Sequence, residues 1–229
     1  MTEPVCGVCG TRARAPFRAP QPEIAPDLDM RPGEPIRSTL RDWIQTCRKC
    51  RAAAPDLTKL PETVGAVVAS QSYHDLTLDG SEDTLPFRRW AMICERAGDR
   101  AEQAEALLQA AWAADDSAVA TEAAALRIQV AALWDGTADV ELALRRLDVL
   151  RRAGQFDQAT ALASDLSARG IDEVGKAILA FQKARIADRD VGRHLISATL
   201  PPPAHRPHVS HNQRAETGFW SRILRRGAK

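Results

Sequence analysis

The sequence predicts a mainly α-helical protein. A small cysteine-anchored module comes first, then an antiparallel array of helices, then a flexible tail. Three observations predict this. No proline occurs between Pro86 and Pro201, a stretch rich in Ala, Leu, Arg and Glu, all good helix formers. Gly98, Gly136, Gly154 and Gly170 divide that stretch where helices should stop. Ahead of it stand two C-x-x-C pairs, Cys6-Gly7-Val8-Cys9 and Cys47-Arg48-Lys49-Cys50.

In C-x-x-C, both sulfurs can turn toward one point when the residues between them form a tight turn. Two such turns supply four thiolates in a tetrahedron, which suits zinc. One structural Zn2+ is therefore expected on Cys6, Cys9, Cys47 and Cys50. Four protein ligands leave the ion no open position for a substrate, so it would support the fold rather than catalyse. Gly10, after the first pair, permits the backbone conformation that lets amides face the sulfurs. Arg51 stands after the second pair and makes that knuckle less ideal. Disulfides would need an oxidising compartment, and no signal peptide precedes Cys6. A thioredoxin-like motif would need a strand–helix context that Pro4 and the later prolines do not offer.

The spacer between the pairs holds six prolines, Pro16, Pro20, Pro22, Pro26, Pro32 and Pro35. It cannot be one helix or a central strand, and it is poor in large apolar residues. Metal binding is expected to supply most of its folding free energy, about 10–16 kcal/mol for structural zinc sites. Ser38 to Gln45 should form a short helix or strand, with Leu40, Trp43 and Ile44 covering the knuckles. This divides the chain into a zinc-ribbon module (1–56), a helical-repeat domain (57–200) and a linker with a basic amphipathic tail (201–229).

Charge follows that division. Residues 1–56 carry nine Lys/Arg against seven Asp/Glu, the body sixteen against twenty-two, and the tail six against one. No run reaches the length of a transmembrane helix, and a cytoplasmic protein is expected. The fifth cysteine, Cys94, reads as a buried apolar thiol.

A helix is expected from Glu62 to about Tyr73, and a polar loop from Asp75 to Asp83. Beyond Pro86 the apolar residues recur at helical spacing. Phe87, Trp90, Ala91, Cys94 and Ala97 form one stripe. Ala101, Ala104, Leu107, Leu108, Ala111 and Trp112 form the next, then Val119, Ala123, Leu126, Val130 and Leu133. Val140, Ala143, Leu147 and Leu150 follow, then Phe156, Ala159, Leu162, Ala163 and Leu166, and finally Ile171, Val174, Ile178 and Phe181. Each stripe is narrow and must be buried against neighbours, and short connections make successive helices antiparallel.

Leu147 to Leu166 carries a sharper signal. A helix should end at Ala153, Gly154 turn the chain, Phe156 plug between two helices, and Ala159 let them approach closely. This glycine, aromatic and alanine order resembles the tetratricopeptide repeat. Cys94 to Ala111 is a weaker second instance, with Arg100 where the aromatic belongs.

The chain as a whole resembles a bacterial family of unknown function with an N-terminal zinc ribbon and a tetratricopeptide-like body. The resemblance lies in Pro26-Asp27-Leu28-Asp29, Arg31-Pro32, Glu34, Arg37-Ser38-Thr39 and Trp43. It continues in Cys47, Cys50 and Ala54-Pro55-Asp56, in Ala110-Ala111-Trp112-Ala113 with Asp115-Asp116, and in Leu150 to Phe156. It implies the fold and carries no activity with it.

Little else points to chemistry. Asp115 and Asp116 are adjacent and point about 100° apart on a helix, which suits a helix end or cap better than a shared substrate. Asp27, Asp29 and Glu34 are expected to pair locally with Arg31 and Arg37. His205, His208 and His211 suit a solvated linker. Tyr73-His74 reads as a helix end. No phosphate-binding glycine loop, nucleophile elbow or H-E-x-x-H occurs. In the tail, Phe219, Trp220, Ile223 and Leu224 form an apolar patch beside Arg225 and Arg226. That patch suits a partner's groove or, less well, an anionic membrane surface. The expected function is a non-catalytic protein–protein interaction or scaffold. The alternative is a nucleic-acid-associated ribbon, since Arg48, Lys49 and Arg51 cluster at one knuckle.

Overall fold

An aspartate side chain starts three of the six long helices, and a left-handed residue or a polar turn ends them. The computed structural model describes residues 3–199. The tail patch at Phe219, Trp220, Ile223, Leu224, Arg225 and Arg226, and the histidines at 205, 208 and 211, lie outside the described residues. The described chain is mainly helical.

Two short helices come first, α1 (Val64–Val68) and α2 (Gln71–Asp75). One continuous helix was expected here. Ser70 divides it: its backbone is extended, and its side chain accepts the amide of Tyr73 to start α2. Six longer helices follow: α3 (Leu85–Ala97), α4 (Arg100–Asp116), α5 (Ala120–Leu133), α6 (Val140–Arg152), α7 (Phe156–Ser167) and α8 (Glu173–Ala187). Pro86 sits in the first turn of α3, where its missing N–H costs nothing. Asp99, Asp139 and Asp172 cap α4, α6 and α8 by accepting amides of the first turn, a contribution of about 1 kcal/mol each. At the end of α6, Gly154 has φ 72°, and the Gln155 amide reaches back to the Leu150 carbonyl at 2.9 Å. Gly98 ends α3 in the same way.

Each long helix packs on the next in sequence, and α8 packs on both α6 and α7. The narrow-stripe expectation fails at α4. Its second half is buried all round, from Ala104 through Ala106, Leu107, Leu108, Ala110 and Ala111 to Ala114. Both α3 and α5 lie against it, and the turn at Arg37–Asp42 packs there too. Ala101, expected in the stripe, is exposed.

The N-terminal region holds one two-stranded antiparallel sheet, β1 (Gln45–Thr46) paired with β2 (Ala53–Ala54). Residues 37–42 form a 3₁₀ turn. Leu40 and Ile44 do not cover the knuckles as expected. They join the helical core with Leu28, and Trp43 lies edge-on to Trp112 with ring centroids 6.2 Å apart. The spacer lacks apolar residues enough for a core of its own, so the few it has go to the helices.

Phe156 is also placed differently. It opens α7 half-buried, with the Arg189 guanidinium 4.6 Å from its ring centroid. Ala153 and Ala159 are the buried residues of that turn. Leu147→Ala, at a fully buried site of α6, should cost about 2–5 kcal/mol. Phe156→Ala should cost less than half of that in the same urea titration. Equal losses would mean that Phe156 is a core residue.

Candidate functional site

The two cysteine pairs meet. The four sulfurs lie within 4.8 Å of one another. Cys6 Sγ is 3.8 Å from Cys50 Sγ, and Cys9 Sγ is 3.6 Å from Cys47 Sγ. A regular tetrahedron with Zn–S bonds of about 2.3 Å places its sulfurs about 3.8 Å apart. The donor set therefore fits one tetrahedral thiophilic ion.

Two matching turns build the cluster. The Gly10 amide donates to the Cys6 carbonyl at 2.8 Å, and the Arg51 amide donates to the Cys47 carbonyl at 3.0 Å. Gly10 has φ 68° and Arg51 φ 67°. The second knuckle thus adopts the glycine-type conformation with an arginine. The Tyr73 hydroxyl donates to the Arg51 carbonyl at 3.0 Å and steadies that residue. A small apolar shell of Leu57, Leu60, Val64, Val68, Tyr73 and Ile93 covers Cys6 and Cys47.

The thiols differ among themselves. Thr11, through its hydroxyl and then its amide, pulls the Cys9 thiol down to about 6. Burial pushes Cys50 up to about 12. Four thiolates this close repel one another, and a cation among them is what lets all four ionise. Cys94 is elsewhere, buried in α3, and burial pushes its thiol to about 12.

A second polar cluster lies where the spacer crosses the helices. Asp29 is fully buried and accepts from three directions. Trp112 Nε1 donates to it at 2.9 Å, Arg152 Nη1 at 2.7 Å, and the Arg31 amide at 3.2 Å. Arg152 also reaches Asp115 at 2.6 Å. Arg127 grips Asp115 with both nitrogens. Arg31 turns the other way, donating to the Trp112 carbonyl at 3.3 Å and to the Asp116 carboxylate. The segment 27–31 is thereby clasped to α4, α5 and α6.

Burial alone would raise the Asp29 carboxyl. The charges of Arg152 and Arg127, the Trp112 donor and the Arg31 amide outweigh it and hold Asp29 below the usual carboxylate range. Asp115 follows the same pattern. Burial acts upward, and the Arg127 hydrogen bond and the charges of Arg152 and Arg127 bring it down. Asp27 and Asp148 go the other way, raised by burial despite Arg37 and Arg151 respectively.

Asp27 pairs locally with Arg37 at 2.8 Å as expected, whereas Glu34 accepts from the amide and hydroxyl of Ser38 rather than pairing with an arginine. Asp29 and Arg31 do not pair locally. Their carboxylate and guanidinium go to helices distant in sequence. Asp115 and Asp116 do end α4, and they point to separate arginines rather than to one site. Sequence reasoning missed Arg127 and Arg152. The signal was present: Arg127 stands in register with Ala123, Leu126 and Val130, at a position of the apolar stripe.

Comparison with protein-family models, with curated proteins and with solved structures finds no match. Among the described residues, no helix is long and apolar enough to cross a membrane.

Arg51→Gly should raise stability by about 1 kcal/mol, because a left-handed non-glycine residue costs roughly 1–2 kcal/mol. A lower urea midpoint would count against the shared knuckle geometry. Asp29→Ala should cost about 3–5 kcal/mol, the range for leaving buried partners uncompensated. The acid limb should report the same network. Depressed carboxyls stabilise the fold above their unfolded value, about 3.9, and this is lost as pH falls through the folded value. Asp27 and Asp148, being raised, act oppositely and lose their contribution as pH rises through their folded values. Asp115→Asn should therefore flatten the loss of stability below pH of about 4, measured by urea titrations at stepped pH. An unchanged acid limb would place Asp115 outside the network.

Proposed function

We propose that this chain is a non-catalytic protein-interaction or scaffold protein whose N-terminal module is built around one structural zinc ion. The tetrahedral spacing of the four sulfurs carries this proposal. An ion held by four thiolates has no free position for a substrate. The interior carboxylates Asp29 and Asp115 are engaged by arginines, an arrangement that favours holding over proton transfer. The helical body adds broad surfaces, with a tetratricopeptide-like turn at Gly154, Phe156 and Ala159. Since segment 27–31 occupies the face of α4 to α6, the partner would meet the ribbon face or the uncovered helix faces. The resemblance to a zinc-ribbon, helical-repeat family agrees with this and adds no activity.

One observation favours a second function, nucleic-acid association. Arg48, Lys49 and Arg51 are exposed at the knuckle, while Asp27 and Asp29, which offset them in the sequence, are buried and paired.

Elemental analysis should find one zinc per chain, and a Cys6→Ser, Cys47→Ser double variant should hold none. Zinc retained by that variant would falsify the site. A partner protein co-purified from native extract should stay bound through nuclease treatment and high salt. Co-purified nucleic acid whose affinity falls steeply with salt would decide for the second function.

A further inference from the structure

Arg89, on α3, is a buried arginine with nothing to neutralise it. It is 5% exposed. Among the described residues, no carboxylate lies within ion-pair distance of it. Its chain neighbour Arg88 has an acid of its own, with Nε 3.8 Å from Glu122. Every other buried arginine has a carboxylate: Arg31 has Asp116, Arg127 has Asp115, and Arg151 has Asp148. An unpaired buried cation costs several kcal/mol unless an opposite charge is close.

The position of Arg89 identifies that charge. Its guanidinium lies 5.3 Å from the Tyr73 ring centroid. The hydroxyl of the same ring donates to the Arg51 carbonyl, one residue beyond Cys50. Ile93, one turn further along α3, belongs to the apolar shell over Cys6 and Cys47, and α3 packs directly on β2 behind the second knuckle. Tyr73 itself belongs to the buried cluster that holds Cys6 and Cys47, with Cys50 packed against it, so one aromatic ring meets both Arg89 and the surroundings of the cysteine centre. Four thiolates around a divalent cation leave two negative charges uncompensated.

We propose that Arg89 is the counter-charge of the four-cysteine centre, a positioning residue that offsets the negative metal–thiolate cluster across the Tyr73 ring. This rests on the structural-zinc proposal above. Arg89 offsets one of those two negative charges from the buried side, while Arg48, Lys49 and Arg51 stand on the exposed side of the second knuckle. Tyr73 gives the guanidinium a π-face on one side and holds the knuckle on the other.

The test loads the full chain with Co2+ and then Zn2+. Cobalt reports tetrahedral thiolate ligation by its visible absorption, and chelator competition gives the affinity of each metal. Arg89→Met keeps the side chain's bulk and removes the charge. Arg89→Lys keeps the charge and removes the planar fork. Arg89→Met should take up one cobalt with a normal spectrum and bind zinc about 10–100-fold more weakly, the usual scale for outer-shell partners. Arg89→Lys should stay close to wild type. A role in packing alone predicts the reverse order or equal losses, and either result overturns the proposal. So does Arg89→Met binding zinc as tightly as wild type. If Arg89→Met does not fold, Arg89→Lys decides alone, since a large loss of zinc affinity with the charge kept would also overturn it. Wild-type chain that takes up no cobalt would overturn both this inference and the zinc proposal. Weakened binding confined to neither variant would overturn this inference only.

Discussion

Asp29 is a carboxylate shut away from water, and the fold is arranged so that its charge is never left alone. Removing a carboxylate from water costs several kcal/mol, a deficit that only close and well-directed donors can offset. Here they come from three places in the chain: the backbone at Arg31, the indole of Trp112 and the guanidinium of Arg152. Those three groups meet only if the C-terminal ends of α4 and α6 come within side-chain reach of each other with the spacer across them. Asp115 then neutralises what remains of Arg152 and takes Arg127 as well. The relative placement of spacer, α4, α5 and α6 is thus fixed by charges that would be costly in any other arrangement.

The same constraint explains how a proline-rich spacer is ordered. It has too few apolar side chains to collapse alone. It is held instead at two points, the cysteine cluster at its ends and the Asp29 clasp in its middle. Between them Leu28, Leu40 and Ile44 contribute to the helical core. The strap of residues 190–196, which follows α8, completes the enclosure: the Leu28 amide donates to the His194 carbonyl at 3.0 Å, and the Ile196 amide to the Pro26 carbonyl at 2.9 Å. Arg151 anchors that strap by donating to the Gly192 carbonyl at 2.9 Å while paired with Asp148.

Much of this was legible in the sequence. Absence of proline, helical spacing and the stops at Gly98 and Gly154 follow from local backbone preferences, which act over a few residues. The C-x-x-C pairs are legible for a similar reason, since turn chemistry sets the spacing of their sulfurs. What the sequence hid depends on contacts far apart along the chain. Ser70 splits a helix because its hydroxyl competes for the Tyr73 amide, an outcome that periodicity does not register. Leu40 and Ile44 face the helices because of what covers them, and nothing local states that. The partners of Asp29 lie 83 and 123 residues away, beyond any pattern of spacing.

An apolar joint of similar area would hold these elements with less desolvation cost, since a buried ion pair can often be replaced by hydrophobic residues without loss of stability. What an apolar joint does not supply is register. A short extended segment such as 26–31 can slide along an apolar helix face at little cost, because one aliphatic contact resembles another. Asp29 and Arg31 remove that freedom. A shift along α4 would strand Asp29 away from Trp112 and Arg152, and Arg31 away from Asp116, leaving several buried charges unpaired at once. The spacer therefore docks in one place, and its two ends, which bear the cysteine pairs, are delivered at a set distance from the helices. Tyr73 on α2 meets the second knuckle by donating to the Arg51 carbonyl, and Arg89 of α3 lies against its ring. The clasp thus sets the register of the spacer on the helices, while the two C-x-x-C turns bring the sulfurs together.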